Sequence, residues 1–140
     1  MNLFLKMFVS GHVALFRSTN GSMGSTMGGN QLLLLTTKGA KSGKPRTVPV
    51  MFFEDAGQRF VVASAGGSPK HPAWFKNLTS DPSVNVHVKG KRFAARAEVM
   101  NAADRSRCWQ MVTTKMSQFA DYEKKTQGRE IPLVYLKETN

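Results

Sequence analysis

Alternating and continuous apolar positions predict six short strands along the chain. From Arg46 to Glu54, apolar residues fall on both faces of an extended chain, as in a strand that is buried on both sides or lines a pocket. Pro49 within this run is expected where the sheet requires no N–H donor, at an edge or a bulge. The six strands are predicted at Gln31–Thr37, Arg46–Glu54, Arg59–Ala65, Val84–Val88, Phe93–Val99 and Ile131–Lys137.

Three other stretches carry apolar residues at helical spacing. The first is Leu3–Phe16. The second follows His71 and Pro72, a pair suited to the start of a helix, and it ends before Pro82. The third follows a sequence that resembles a capping box, with Asn101 and Asp104 at its ends. Its apolar stripe, expected to lie in the core, is Trp109, Val112, Met116 and Phe119.

The residues before the first strand form a separate N-terminal region. Ser18–Asn30 is rich in Gly, Ser and Thr, which predicts a flexible linker. We therefore expect an N-terminal helix and linker at residues 1–30 and a β-barrel domain at residues 31–140. The helix is too short and too interrupted to span a bilayer. Packing on the domain or on a partner subunit is the favoured interpretation, and contact with a membrane surface is the alternative.

The order of the elements predicts an α+β fold. It reads helix, three strands, helix, two strands, helix and strand. Short strands joined by hairpins pack naturally as a small antiparallel barrel with peripheral helices. A chain of 140 residues is long enough for one such domain with its own core.

Charge and composition narrow the class of partner. The net charge of +11 predicts a polyanionic partner such as nucleic acid, anionic lipid or a phosphorylated ligand. A single cysteine, Cys108, excludes an internal disulfide and favours a reducing, cytoplasmic compartment. The three histidines lack HxxH spacing, so no metal site is predicted. One of them, His87, alternates with the valines of its strand and is expected to be exposed.

The residues from Thr36 to Pro49 carry the strongest sign of ligand chemistry. They predict a cationic turn between two strands, in which glycines let backbone N–H groups approach an anion and the side chains neutralise it. A solvated hairpin turn in a basic protein is the alternative interpretation. The basic residues of this turn are Lys38, Lys41, Lys44 and Arg46.

Three segments together resemble a known family. They are TTKGAKSGKPRTVPV, then VVASAGGSPKHPAWFKNL, then a late helix followed by a terminal strand. In order and spacing they are similar to the deazaflavin-dependent nitroreductases, which use coenzyme F420 and have an FMN-binding split β-barrel fold. The resemblance covers Leu32–Leu136. It implies hydride transfer from reduced F420 to an electron-poor planar substrate, such as an unsaturated lactone of the coumarin type, a quinone or a nitroaromatic compound.

The resemblance also implies roles for individual residues. The basic turn would hold the phosphate and acidic tail of F420, and the next strand and the loop after it would surround the deazaflavin ring. Tyr122 would orient the substrate or donate a proton. The implied cofactor-binding residues are Lys38, Lys41, Arg46, Val48, Pro49, Val50, Ala63, Ser64, Ala65, Gly66, Gly67, Lys70, Trp74 and Asn77. The implied substrate pocket is Met51, Met116, Phe119 and Tyr122.

The chain departs from the family pattern at a few positions. Ala40 and Ala65 stand where the family often has basic residues, so two contacts to the cofactor tail are missing unless Lys38 or Lys44 replaces them. Met51 and Phe119 stand where the nitroimidazole-activating members have tyrosine, which favours a bulky, apolar substrate.

Two rival functions stay open on the sequence. One is an oxidoreductase of the same barrel class that uses FMN. The other is a basic nucleic-acid-binding module, which the net charge favours but the core-like placement of the aromatic residues does not. The expected partner is a small-molecule substrate rather than a specific nucleic acid, and the expected assembly is a monomer or a homodimer.

Overall fold

The computed structural model describes residues 26–27 and 30–139 of the chain. Every predicted strand is present, with its ends shifted by a few residues, and one short strand precedes them. In chain order the strands are β1 (Thr26–Met27), β2 (Asn30–Lys38), β3 (Pro45–Asp55), β4 (Gln58–Val62), β5 (Ser83–Val88), β6 (Lys91–Val99) and β7 (Leu133–Glu138).

Six of these strands close into an antiparallel barrel. The sheet order is β1-β2-β3-β4-β7-β6-β5, and β5 pairs back onto β2 through Leu34–Thr36 and Asn85–His87. This closure confirms the predicted small antiparallel barrel. All pairings that close the barrel lie at or after Asn30, which agrees with the expected domain at residues 31–140, although the boundary itself stays a prediction.

Helices connect strands of the barrel and pack against its core. Helix α1 (Ala73–Ser80) lies between β4 and β5, and α2 (Ala102–Lys115) and α3 (Gln118–Lys125) lie between β6 and β7. The cap predicted for α2 is present, because the Asn101 side chain accepts a hydrogen bond from the Asp104 backbone N–H at 2.8 Å. Among the described residues, no helix has the length and apolar character needed to cross a bilayer.

The core has two parts, one on each face of the sheet. Inside the barrel, Leu33, Leu35 and the valines of β5 pack with Leu78 of α1. Outside it, Phe53 and Phe60 pack against α2 and α3 around the buried Cys108. Burial raises the pKa of the Cys108 thiol, so the cysteine stays protonated at neutral pH, as expected of an inert core thiol.

The barrel opens where β4 ends. β3 pairs with β4 only through Phe52–Asp55, and β4 stops at Val62, so the first half of β3 has a strand neighbour on one side alone. After Val62 the chain turns away, held by the Ala63 N–H bond to the Pro132 carbonyl at 2.9 Å. Pro49 lies in this one-sided half of β3, where a residue without an N–H is tolerated, as predicted.

The structure corrects three of the predictions. His87 is buried, with 7% of its surface exposed, although it alternates with the valines of β5. The third predicted helix is two helices, since the backbone is extended at Met116 and a new helix begins at Gln118. Within the predicted linker, Thr26 and Met27 pair with β2 as β1. The predicted first helix, Leu3–Phe16, lies outside the described residues.

Candidate active site

A cavity of about 260 Å³ lies at the opening beside β3. Its wall combines the one-sided half of β3, the loop after β4, the start of α1 and the first turns of α3. Most of the wall is apolar, with a few polar groups that can orient a ligand. The lining residues are Leu32, Pro49, Val50, Met51, Val62, Ser64, Ala65, Gly66, Trp74, Gln118, Phe119 and Tyr122.

The loop after β4 reaches the cavity through an unusual run of backbone conformations. Ser64 is in the right-handed helical region, whereas Ala65, Gly66 and Gly67 have φ values of 49°, 63° and 86°. A right-handed residue followed by a left-handed one turns successive N–H groups to the same side, an arrangement that binds anionic or carbonyl oxygens. Left-handed backbone is unfavourable for alanine, so the loop is strained at Ala65.

Helix α3 packs tightly on this loop at Gly67. A Cβ atom at Gly67 would lie 2.7 Å from the Tyr122 carbonyl oxygen and 3.0 Å from its Cα. The absence of a side chain therefore lets α3 approach closely enough for Phe119 and Tyr122 to reach the cavity. The two rings pack edge to face with centroids 5.4 Å apart, which fixes the orientation of Tyr122. Among the described residues, the Tyr122 hydroxyl has no hydrogen-bond partner.

The cationic turn between β2 and β3 forms a second cavity, of about 440 Å³. Its backbone is closed by hydrogen bonds from Gly39 N–H to Lys44 O and from Gly43 N–H to Gly39 O, both 2.8 Å. The exposed Lys38 and Lys41 are in its wall. The wall also contains one carboxylate, Asp81, which accepts a hydrogen bond from the Ser83 N–H.

Asn77 connects the cationic turn to α1. Its Oδ1 accepts a hydrogen bond from the Ala40 N–H at 3.0 Å, and its Nδ2 donates to Thr37 Oγ1 at 3.1 Å. Trp74, at the start of α1, lines the first cavity, and Ser80, at its end, lines the second. The helix rise places these two residues about 9 Å apart along the axis. An apolar cavity and a cationic one thus lie at the two ends of a single short helix.

Arg129 supports the loop after β4 through hydrogen bonds to its backbone. Its guanidinium donates to the carbonyls of Ala63, Ser64 and Ser68 over 2.8–3.1 Å. It also lies 3.1 Å from His71 Nδ1. Burial, Arg129 and Lys76 lower the pKa of His71, which keeps the imidazole neutral and able to accept this bond. Nothing in the local sequence around Arg129 indicated that it bonds to a loop more than sixty residues earlier.

The structure brings together many of the residues implied by the resemblance and leaves others outside the two cavities. In the apolar cavity it places Pro49, Val50, Met51, Ser64, Ala65, Gly66, Trp74, Phe119 and Tyr122. In the cationic cavity it places Lys38 and Lys41. The walls of these two cavities do not include Arg46, Val48, Ala63, Gly67, Lys70, Asn77 or Met116.

Two of the residues outside the cavity walls lie in identifiable places elsewhere in the structure. Arg46 is exposed beside the cationic turn, where its Cγ lies 3.8 Å from the Cβ position of Gly39. Met116 is buried in the outer core cluster because the helix breaks there. Sequence reasoning missed Gln118, which lies one helical turn before Tyr122 and lines the same cavity.

The chain has clear relatives among known proteins. The sequence profile of the F420H(2)-dependent quinone reductase family matches residues 9–138. An F420H(2)-dependent quinone reductase of Mycobacterium tuberculosis (strain ATCC 25618 / H37Rv) is 37% identical over 129 residues, which covers 89% of this chain and 86% of the relative.

Solved structures show the same likeness. One described as an F420-H2 dependent reductase (FDR-A) is 37% identical, with a TM-score of 0.67 over 76% of this chain and 93% of that one. Another, described as a domain-swapped dimer, is 32% identical, with a TM-score of 0.70 over 94% of this chain and 98% of that one.

The tight contact at Gly67 predicts different outcomes for two adjacent glycines. Gly67→Ala should lower the free energy of unfolding by more than the roughly 1–2 kcal/mol expected for a left-handed alanine, because its Cβ also meets the α3 backbone. Gly66→Ala is the matched control, since φ is also positive there but no atom lies within 4 Å of the added Cβ. Urea unfolding of both variants measures the difference. Equal losses would contradict the contact.

Proposed function

Because the chain belongs to the F420H(2)-dependent quinone reductase family, we propose that it reduces quinones with reduced F420. The observation that carries this proposal is the two-part site, an apolar cavity and a cationic one at opposite ends of α1. F420 has a matching chemistry, with a flat deazaflavin ring at one end and a phosphate and glutamate tail at the other.

The residues present fit this cofactor. The apolar cavity offers Trp74, Pro49 and Val50 as flat or rigid surfaces for a ring, and it adjoins a loop with outward N–H groups for the ring carbonyls. The cationic turn offers Lys38 and Lys41 for the tail. We propose that exposed Arg46 also reaches the tail, since a guanidinium binds phosphate in a bidentate manner.

The remaining cofactor contacts are proposed from the resemblance and from position. Val48 lies in the one-sided half of β3 next to Pro49, and Ala63 and Gly67 are proposed to complete the loop around the ring. Lys70 is exposed before α1 and is proposed to contact the tail. Asn77 acts indirectly, because its side chain holds the cationic turn in place.

When bound, reduced F420 supplies a hydride, and the protein supplies binding, orientation and a proton. The apolar wall formed by Met51, Phe119 and Tyr122 excludes water and packs against a flat substrate. Methionine suits this role because its flexible thioether contacts aromatic rings favourably. The unpartnered Tyr122 hydroxyl is the group we propose to donate a hydrogen bond or a proton to a quinone oxygen as negative charge develops on it.

The same wall admits other flat, electron-poor substrates, and we propose coumarin-like unsaturated lactones and nitroaromatic compounds as secondary substrates.

Of the two assembly states left open by the sequence, the homodimer is supported by the relative described as a domain-swapped dimer.

The proposed function predicts that the protein oxidises reduced F420 when a quinone is added. The oxidation of F420H2 is measured as the return of F420 absorbance at about neutral pH, with a naphthoquinone as substrate. A parallel assay uses reduced FMN as the alternative donor. The cationic tail site favours F420 over FMN. Faster quinone reduction with FMN, or no reaction with F420, would contradict the proposal.

Removing charge from the cationic turn should weaken F420 binding. Each charge-assisted contact to phosphate contributes about 1.5–3 kcal/mol, so Lys41→Ala and Arg46→Ala should each raise the F420 Kd by roughly ten- to a hundredfold. Lys115→Ala is the control, because it removes an exposed charge from the end of α2, away from both cavities. Fluorescence titration with oxidised F420 measures Kd. Unchanged affinity in the two turn variants would remove the turn from the site.

The role of Tyr122 predicts a loss of turnover without a loss of cofactor affinity. General acid assistance is typically worth about 10²–10⁴-fold in rate, and orientation alone is worth less. Tyr122→Phe should therefore lower kcat for quinone reduction and leave the F420 Kd unchanged. Tyr135→Phe is the matched control, since that hydroxyl donates to Asp55 and neither residue lines the apolar cavity. Full turnover in Tyr122→Phe would make solvent the proton donor.

A further inference from the structure

Arg129 donates four hydrogen bonds to backbone carbonyls of the loop after β4. None of the cofactor contacts proposed above explains these bonds. Nη2 donates to Ser64 O and Ser68 O, both at 2.8 Å, and Nη1 donates to Ala63 O at 3.1 Å. Nε donates to Ser68 O at 3.0 Å. One half-buried guanidinium thus satisfies three backbone carbonyls from a loop that has no regular sheet pairing.

These bonds determine where the loop's N–H groups point. In a trans peptide the C=O and the following N–H point in opposite directions. Because the carbonyls of Ala63 and Ser64 are directed at Arg129, the N–H groups of Ser64 and Ala65 are directed away from it, on the side where both residues line the apolar cavity. Neither N–H has an acceptor among the described residues.

Arg129 also joins this loop to the start of α1. His71 Nδ1 lies 3.1 Å from Nη1, and the His71 ring packs on Phe75 of α1 with centroids 4.6 Å apart. Phe75 in turn packs against the core inside the barrel. The guanidinium therefore links the segment before β7 to the loop after β4 and to the helix that carries Trp74, and the last two of these elements line the apolar cavity.

We propose that Arg129 is a positioning residue for the deazaflavin ring, holding the loop so that the Ser64 and Ala65 N–H groups are available to a ring carbonyl. This inference rests on the proposed function, because it takes the apolar cavity as the ring site. It assigns to Arg129 no contact with the cofactor itself.

Arg105 provides a matched control. It is another arginine with little exposure, and its Nε donates to a backbone carbonyl, that of Ile131, at 2.9 Å. It also forms ion pairs with Glu123 and Glu130, and within the described structure it makes no hydrogen bond to residues 63–68. A variant of Arg105 therefore reports the cost of losing an arginine–carbonyl bond and its ion pairs, whereas a variant of Arg129 removes the bonds that hold the loop.

The first measurement uses the protein without cofactor. Amide hydrogen exchange should report the opening of the loop through Gly67 and Ser68, whose N–H groups bond to Ser64 O and Ala65 O in the folded loop. Arg129→Lys and Arg129→Ala should speed exchange at these two amides by about tenfold or more, while the core strands keep their protection. Arg105→Lys should leave Gly67 and Ser68 unchanged. Equal exchange at these amides in both variants would overturn the positioning role.

The second measurement separates the ring from the tail. Kd is determined for whole F420 and for its deazaflavin–ribitol part, which lacks the phosphate and glutamates. Arg129→Lys should raise both Kd values by a similar factor, about tenfold, because the ring site is altered. Lys41→Ala should raise only the Kd for whole F420. The KM for the quinone should stay unchanged in Arg129→Lys.

The outcomes distinguish the inference from the function on which it rests. If the unaltered protein binds neither F420 nor its ring part, the proposed function fails. If it binds both and Arg129→Lys behaves like Arg105→Lys, the function stands and the positioning role of Arg129 is wrong. A loss confined to whole F420 in Arg129→Lys would place the arginine with the tail and would also contradict the inference.

Discussion

The early end of β4 is the constraint on which the candidate active site depends. β3 extends from Pro45 to Asp55, but β4 pairs only with its last four residues and stops at Val62. A barrel with one strand edge left open must cover that edge with something other than a strand. Here the loop at residues 63–68, α1 and α3 enclose it, and the space left between them is the apolar cavity.

Irregular backbone in such a position needs polar partners that a sheet would otherwise supply. Arg129 donates hydrogen bonds to the carbonyls of Ala63, Ser64 and Ser68. Asn77 accepts a hydrogen bond from the Ala40 N–H and donates one to Thr37 Oγ1. Each of these two side chains satisfies several polar groups at once. The loop after β4 and the cationic turn are therefore held against the barrel. The Ser64 and Ala65 N–H groups stay available to a ligand, and such fixed polar groups can orient a cofactor.

Sequence patterns predicted the barrel and the cationic turn well, because both depend on local signals. Alternation placed the strands, and Gly39, Gly43 and the lysines marked the turn. Sequence patterns did not predict the tertiary contacts. The helix breaks at Met116 although the apolar stripe continues through that residue. His87 is buried although its alternation with the valines predicts exposure. Arg129 bonds to a loop that is distant in the sequence. The resemblance, rather than periodicity, supplied the residues that are proposed to surround the ring.

The cationic turn has a kinetic consequence. Within the described part of the chain, Lys38, Lys41, Lys44 and Arg46 form no ion pair, so their charge acts outward into solvent over a Debye length of about 8 Å at physiological salt. A polyanionic molecule is then attracted to the turn before any part of it touches the apolar cavity. Attraction of this kind speeds association and weakens as ionic strength rises, which suits an enzyme that must repeatedly exchange a spent carrier for a fresh one from a shared pool.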